Sequence, residues 1–193
     1  MAITHYIQPE STGFVSSHQL MESGNYYKAL RAVERGELIK VRHGVYATPE
    51  SLVSNMVDIE KIVPSGVLCL YSAWYYYGLT DTVPPAICVA IEAKRKVVAP
   101  QIIPFQFYYW KIENLQFGIT DTEISGYHVI ITDIERSVCD AIKYRNKIGM
   151  EICTEIFRNY LSRKDRNISK LIEYSKRLRV YKTLSLFFDI TLA

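Results

Sequence analysis

The 193-residue chain contains no Cys-x-x-Cys pair, no glycine-rich phosphate loop and no apolar run long enough to cross a bilayer. Each absence excludes a class of function. Cys69, Cys88, Cys139 and Cys153 lie far apart inside apolar runs, a pattern expected of reduced core thiols in a cytosolic protein. His5, His18, His43 and His128 are equally scattered, so no zinc-ligand spacing is met and no metal is expected. The start "MAITHYIQPESTG" lacks the charged beginning and apolar core of a signal peptide, and the ending "LSLFFDITLA" is too short to span and carries Asp189. The expected location is therefore the cytoplasm. Without a phosphate loop, a Ser/His/Asp set or a Cys/His pair, no cofactor is expected either.

What is present is apolar mass and unevenly placed charge. Hydrophobic residues make up 49% of the chain and the net charge is +3, so nucleic-acid binding would have to come from local clusters. Two stand out. From Asn25 to Gly44 there are five cations, Lys28, Arg31, Arg35, Lys40 and Arg42, against Glu34 and Glu37. Residues 134–182 hold thirteen cations against six acids.

The first cluster sits in a recognisable order of elements. Phe14, Val15, Leu20 and Met21 form a short helical apolar pattern that Ser16 or Ser17 can cap, and Ser23-Gly24-Asn25 breaks it. A second helix is expected from Asn25, a good N-cap, to Gly36, a good C′ residue. Helical spacing puts Tyr26, Leu30, Val33 and the edge of Tyr27 on its buried face, with Lys28, Ala32 and Arg35 opposite, flanked by Asn25 and Arg31. Such a face suits a DNA major groove. Small Ala32 permits close approach to base edges, Asn25 and Arg31 can make directional hydrogen bonds, and Lys28 and Arg35 can reach phosphates. The stretch "GELIKVRHGVYAT" then reads as two short strands turning at His43-Gly44. Lys40, Arg42 and His43 would lie beside the phosphate backbone or the minor groove, in the order of a winged helix-turn-helix.

The expected architecture is α/β (α+β): a winged helix-turn-helix over residues 1–50, a linker over 51–64, and a mixed-sheet domain with C-terminal helices over 65–193. "SGVLCLYSAWYYYGLTD" reads as a buried helix from Ser65 to Gly78, with Tyr75, Tyr76 and Tyr77 packed in the core, since adjacent helix positions cannot form one stacking surface. Strands are expected at 86–92, 103–110 and 127–132, with short ones in "LQFGITDTEISG". Helices follow, over 134–147 with Asp133 as cap, around 152–161, and over 168–180. Arg136 and Asp140, at i,i+4, read as a local ion pair. Lys143, Arg145, Lys147, Arg163, Lys164 and Arg166 form a possible second nucleic-acid surface.

"GFVSSHQLMESG" and "YYKALRAVERGELIKVRHGVYA" resemble the N-terminal winged helix of the AbiEi family of bacterial antitoxins and transcriptional regulators from type IV toxin–antitoxin pairs. "LCLYSAWYYYGLTDTVPPAICVAI" and "TDIERSVCDAIKYRNKIGMEICTEIFRNYL" resemble that family's second domain, with its Ser-Ala-x-x-x-x-Gly-Leu and Asp-x-Glu-Arg-[Ser/Thr]-x-x-Asp motifs. The resemblance covers about 13–163. It implies a repressor that binds double-stranded operator DNA and a second domain that counters a cognate nucleotidyltransferase-type toxin. The Gly-Ser start and paired aspartates of such a toxin are missing here, so the chain resembles the antitoxin half and not an enzyme. Two other readings stay open. Asp81, Glu92 and Lys94 are the elements of a metal-dependent nuclease, and winged helices also serve as protein-interaction modules.

Overall fold

The computed structural model describes residues 13–54, 58–98 and 103–192. Residues 1–12 of the expected first domain and 55–57 of the expected linker lie outside the described residues. The chain combines helices with two sheets, an α/β (α+β) fold. It divides into two compact units, one of the chain up to Gly66 with Arg95–Phe105 and Glu123–Val129, the other of Val67–Lys94, Gln106–Thr122 and Ile130–Ala193.

In the first unit, β1 (Phe14–Ser16) leads directly into α1 (Ser17–Glu22), and α2 (Tyr26–Glu34) follows a turn. A hairpin of β2 (Ile39–Arg42) and β3 (Val45–Ala47) comes next, then α3 (Pro49–Ser54) and α4 (Ile59–Ile62). Ser16 caps α1 in a full capping box, its Oγ accepting from Gln19 N at 3.1 Å while Gln19 Oε1 accepts from Ser16 N at 2.8 Å. Phe14 and Val15 depart from the helical pattern expected for them. They pair antiparallel with Ala47 and Tyr46, and the three-stranded sheet has the order β1-β3-β2. The reason is non-local: an edge of β3, thirty residues on, offers backbone partners that satisfy these two residues better than an uncapped helical turn. Val15, Leu20, Ala29, Ala32, Leu38 and Tyr46 form one core cluster of this unit, with Tyr26, Leu30 and Val33 against it.

The larger sheet contains β4 (Val67–Leu68), β5 (Ile87–Glu92), β6 (Phe105–Trp110), β7 (Ile119–Ile124) and β8 (Tyr127–Thr132) in the order β6-β5-β4-β8-β7. It is mixed, as expected, because β4 pairs antiparallel with β5 and parallel with β8. The helix expected from Ser65 is shorter. Val67 and Leu68 are strand, and α5 (Leu70–Tyr76) begins only after Cys69. Burial on both sides of a central strand makes such a run as apolar as a buried helix, which is why periodicity does not separate the two. The core reading of Tyr75 and Tyr76 is also corrected, since they are 48% and 41% exposed. Leu70, Ala73 and Trp74 take the inward face of α5, which leaves the two tyrosines to swing outward. Tyr76 Oη does find a polar neighbour, Thr122 Oγ1 at 2.6 Å.

The helical layer comprises α6 (Ile134–Ile148), α7 (Met150–Leu161), α8 (Ile168–Arg177) and α9 (Tyr181–Leu192). Asp133 caps α6 as expected, its carboxylate accepting from Arg136 N at 2.9 Å. Trp74 is wholly buried and its indole N–H donates to Ser137 O at 2.9 Å, which ties α5 to α6.

Candidate nucleic-acid interface

The outward arc of α2 carries Tyr27, Lys28, Arg31, Glu34 and Arg35. Ala32 does not belong to it. Expected to lie under a base edge, Ala32 is 0% exposed, packed with Ala29 in the core while its carbonyl accepts from Glu37 N at 2.9 Å and Leu38 N at 3.2 Å. Hydropathy weights Tyr26 and Leu30 above two alanines, which tilts the expected face. The actual buried arc is centred nearer Ala29 and Val33, where small side chains bring the helix close to its neighbours. The same rotation exposes Tyr27, which is 78% accessible and does not lie at the edge of the buried face as its spacing predicts. Recognising the two alanines as core would have found it.

Asn25 heads α2 but makes no capping hydrogen bond. Its φ of −102° and ψ of 2° are not the extended conformation from which a side chain reaches the N-terminal amides. Instead, Asn25 Oδ1 accepts from Lys28 Nζ at 3.4 Å. Arg35 is forked onto Glu37, with Nε and Nη2 donating at 2.9 Å and 2.8 Å. That contact holds the Glu37 carboxyl below the usual carboxylate range. Arg31 lies exposed between these groups.

Lys40, Arg42 and His43 are exposed along the hairpin. Pairing shifts by one residue between Lys40 and Arg42, a bulge that turns the strand end. Gly44 closes the turn with φ of +74°, which favours glycine, and its carbonyl accepts from Ser17 N at 2.8 Å. The turn is thereby fastened to the start of α1. Arg42 Nε donates to the carbonyl of Lys61 at 3.0 Å. A carbonyl orients a guanidinium without cancelling its charge.

The second group of cations is arranged otherwise. Arg163 forks Asp165 at 2.9 Å and 2.8 Å and donates through Nη1 to Tyr77 O at 2.9 Å, so it serves the fold and does not point outward as a phosphate ligand. Its sequence neighbour Asp165, two positions on, explains the engagement. Arg145 Nη1 turns back onto Ile142 O at 3.0 Å, and Arg166 Nη1 donates to the carbonyl of Arg163. Lys147 Nζ lies 5.8 Å from the Tyr144 ring centroid, while Lys143 and Lys164 are exposed.

The Asp-x-Glu-Arg-Ser-x-x-Asp string, Asp133 to Asp140, is buried throughout its polar positions. Arg136 Nε donates to both Asp140 oxygens at 3.1 Å and 3.0 Å, and Nη1 donates to the carbonyls of Asn114 at 2.9 Å and Phe117 at 3.1 Å. Its guanidinium carbon sits 4.6 Å and 4.4 Å from the ring centroids of Trp110 and Phe117. Those ring faces supply the electrostatic partner for Nη2, which has no hydrogen-bond acceptor among the described residues. Burial pushes the Asp140 carboxyl up, with Arg136 opposing. Lys170 Nζ bridges Asp133 at 3.1 Å and Glu135 at 3.3 Å, and Tyr160 and Tyr174 hydroxyls donate to Glu135 and Asp133. The motif is thus an internal brace joining α6, α7 and α8.

Asp81, Glu92 and Lys94 are exposed, and Asp81 N donates to Glu155 Oε1 at 3.4 Å. Among the described residues no three His, Cys, Asp or Glu side chains are grouped to hold a metal, and no helix is long and apolar enough to cross a membrane. Burial raises the thiols of all four cysteines, Cys153 to about 11, so none has the character of a nucleophile. No protein-family model matches the chain, and no curated protein matches it.

Proposed function

We propose that the chain is a bacterial DNA-binding repressor in which α1, α2 and the β2–β3 hairpin act as a winged helix-turn-helix. One observation carries the reading: Lys28 of α2 and Arg42 of the hairpin are held by neutral groups, so their charge is available to an anion, whereas Arg35 is forked by Glu37. Lys28 rests on an amide oxygen and Arg42 on a carbonyl. In the complex, Arg31 and Lys28 with exposed Tyr27 lie in the major groove, and Lys40, Arg42 and His43 follow the adjacent backbone.

The reading extends, on the motif resemblance alone, to an antitoxin role for the domain from about residue 65, directed at a nucleotidyltransferase-type toxin. The burial of Asp133, Glu135, Arg136 and Asp140 supports a structural use of that motif, so a contact with the toxin, if made directly, uses other residues. The function requires no cofactor and no chemical step.

Fluorescence anisotropy with the duplex upstream of the chain's own gene tests the DNA half. Arg31→Ala combined with Arg42→Ala should weaken binding about tenfold or more, and affinity should fall steeply with salt as counterions are released. Unchanged affinity in the double variant would refute the assigned face. Co-expression with a neighbouring nucleotidyltransferase, read as restored growth, tests the antitoxin half.

A further inference from the structure

The string Lys94-Arg95-Lys96 is absorbed by neither the helix face nor the hairpin. Its last two residues return to the hairpin tip. A cavity of about 300 Å³ is lined by Arg42 and His43 on one side, Arg95 and Lys96 on another, and by apolar Ile62 and Pro64 with two valines, Val97 and Val98. The described lining residues include no carboxylate. Both arginines are aimed by the segment at the end of α4: Arg42 Nε donates to Lys61 O at 3.0 Å, and Arg95 Nη1 donates to Pro64 O.

This arrangement has an electrostatic consequence. Two guanidinia and an ammonium line one cavity with no carboxylate among its described lining residues, and like charges brought together raise the free energy of the empty site. The two carbonyls fix direction and leave the guanidinium charges uncompensated. Each guanidinium has five N–H donors, of which the carbonyl contact uses one. The remaining donors match the paired oxygens of a phosphate.

We propose that Arg95 and Lys96, together with Arg42 and His43, bind a backbone phosphate of nucleic acid. This inference rests on the DNA-binding reading of the hairpin. A phosphodiester suits the site because its lining includes the hairpin tip already assigned to the backbone. Arg95 and Lys96 therefore contribute to affinity and to salt dependence, with no preference among base sequences.

Anisotropy titrations of the full chain at several salt concentrations test the site, with wild type, Lys96→Ala, the pair Arg95→Ala and Lys96→Ala, and Arg31→Ala run in parallel. Lys96→Ala leaves the Arg95 contact with Pro64 in place, so it guards against loss of fold. The expected result is a salt slope lower by about 1 in Lys96→Ala and about 2 in the pair, equal for all duplex sequences. Undiminished affinity and slope in both, while Arg31→Ala weakens binding, would overturn this site and leave the DNA reading standing. No binding by wild type at low salt would remove both. A titration with inorganic phosphate alone distinguishes the other source of this chemistry. Saturable amide shifts at Arg95 and Lys96, with DNA binding intact in the variants, would assign the cavity to free phosphate and overturn the proposal.

Discussion

The two basic regions differ in what holds their cations. In the larger, over 134–182, carboxylates hold Arg136 through Asp140, Arg163 through Asp165, and Lys170 through Asp133 and Glu135, while Arg145 and Arg166 meet carbonyls. In the smaller, over 25–44, Lys28 and Arg42 meet an amide or carbonyl oxygen, as does Arg95 in the loop that lines the same cavity as Arg42, and among the described residues Arg35 is the α2 cation forked by a carboxylate. A count of cations favours the larger region as an interface. Inspection of their partners favours the smaller. A carboxylate neutralises what it orients, whereas a carbonyl orients and leaves the field intact, so partner chemistry ranks a surface better than charge density does.

If this contrast holds, breaking the internal pairs should damage stability and nothing else. The largest effect is expected at Arg136, whose side chain is 0% exposed. Arg136→Met strands Asp140 without its partner and should cost about 3–5 kcal/mol, read by denaturant unfolding. Arg136→Met together with Asp140→Leu removes both charges and should cost less than the single change. A double variant as unstable as the sum of its parts would show that packing on Trp110 and Phe117, and not the pair, fixes the site. A somewhat smaller loss is expected from Gly118→Ala. Gly118 has φ of +61°, and an added Cβ would stand 2.7 Å from Arg136 Cβ and 3.1 Å from the Tyr174 ring. Strain and overpacking together should cost about 2–4 kcal/mol. A melting temperature within a degree of wild type would mean that this brace yields more easily than its burial implies.

How much of this was legible depended on the range of the interaction. The extent of α2, the His43-Gly44 turn and the Asp133 cap follow from neighbours within four residues, and sequence patterns carry such information well. Strands β5 and β8 were legible from β-branched and apolar runs. Val67–Leu68 was not, because a two-residue strand exists only by virtue of β5 and β8 on either side. Arg136 with Asp140 is spelled like an ordinary surface pair, and only Trp110 and Phe117 arriving from elsewhere in the chain bury it. The outward face of α2 lacks Ala32 and includes Tyr27, contrary to its spacing, because alanine is compatible with core and surface alike. Arg95 and Lys96 lie in a loop about fifty residues beyond the hairpin, and only the fold brings that loop to the same cavity as Arg42 and His43.

The smallest expected effect sharpens the contrast from the other side. In the first unit, Glu37 behaves like the carboxylates of the second, because it forks Arg35 and offsets the charge of that guanidinium. Glu37→Gln removes the negative charge while keeping an oxygen for the guanidinium. DNA affinity should rise about two- to fivefold, with a slightly steeper salt dependence. Arg35 holds the carboxyl below its ordinary value of 4.5, so its contribution to stability is present above that value and lost as pH falls through the lower folded one. The gain in affinity should therefore be constant from pH 5.5 to 8, where Glu37 is fully ionised. Equal affinities for Glu37→Gln and wild type would place Arg35 and Glu37 outside the contacted surface, and would narrow the α2 footprint to Tyr27, Lys28 and Arg31.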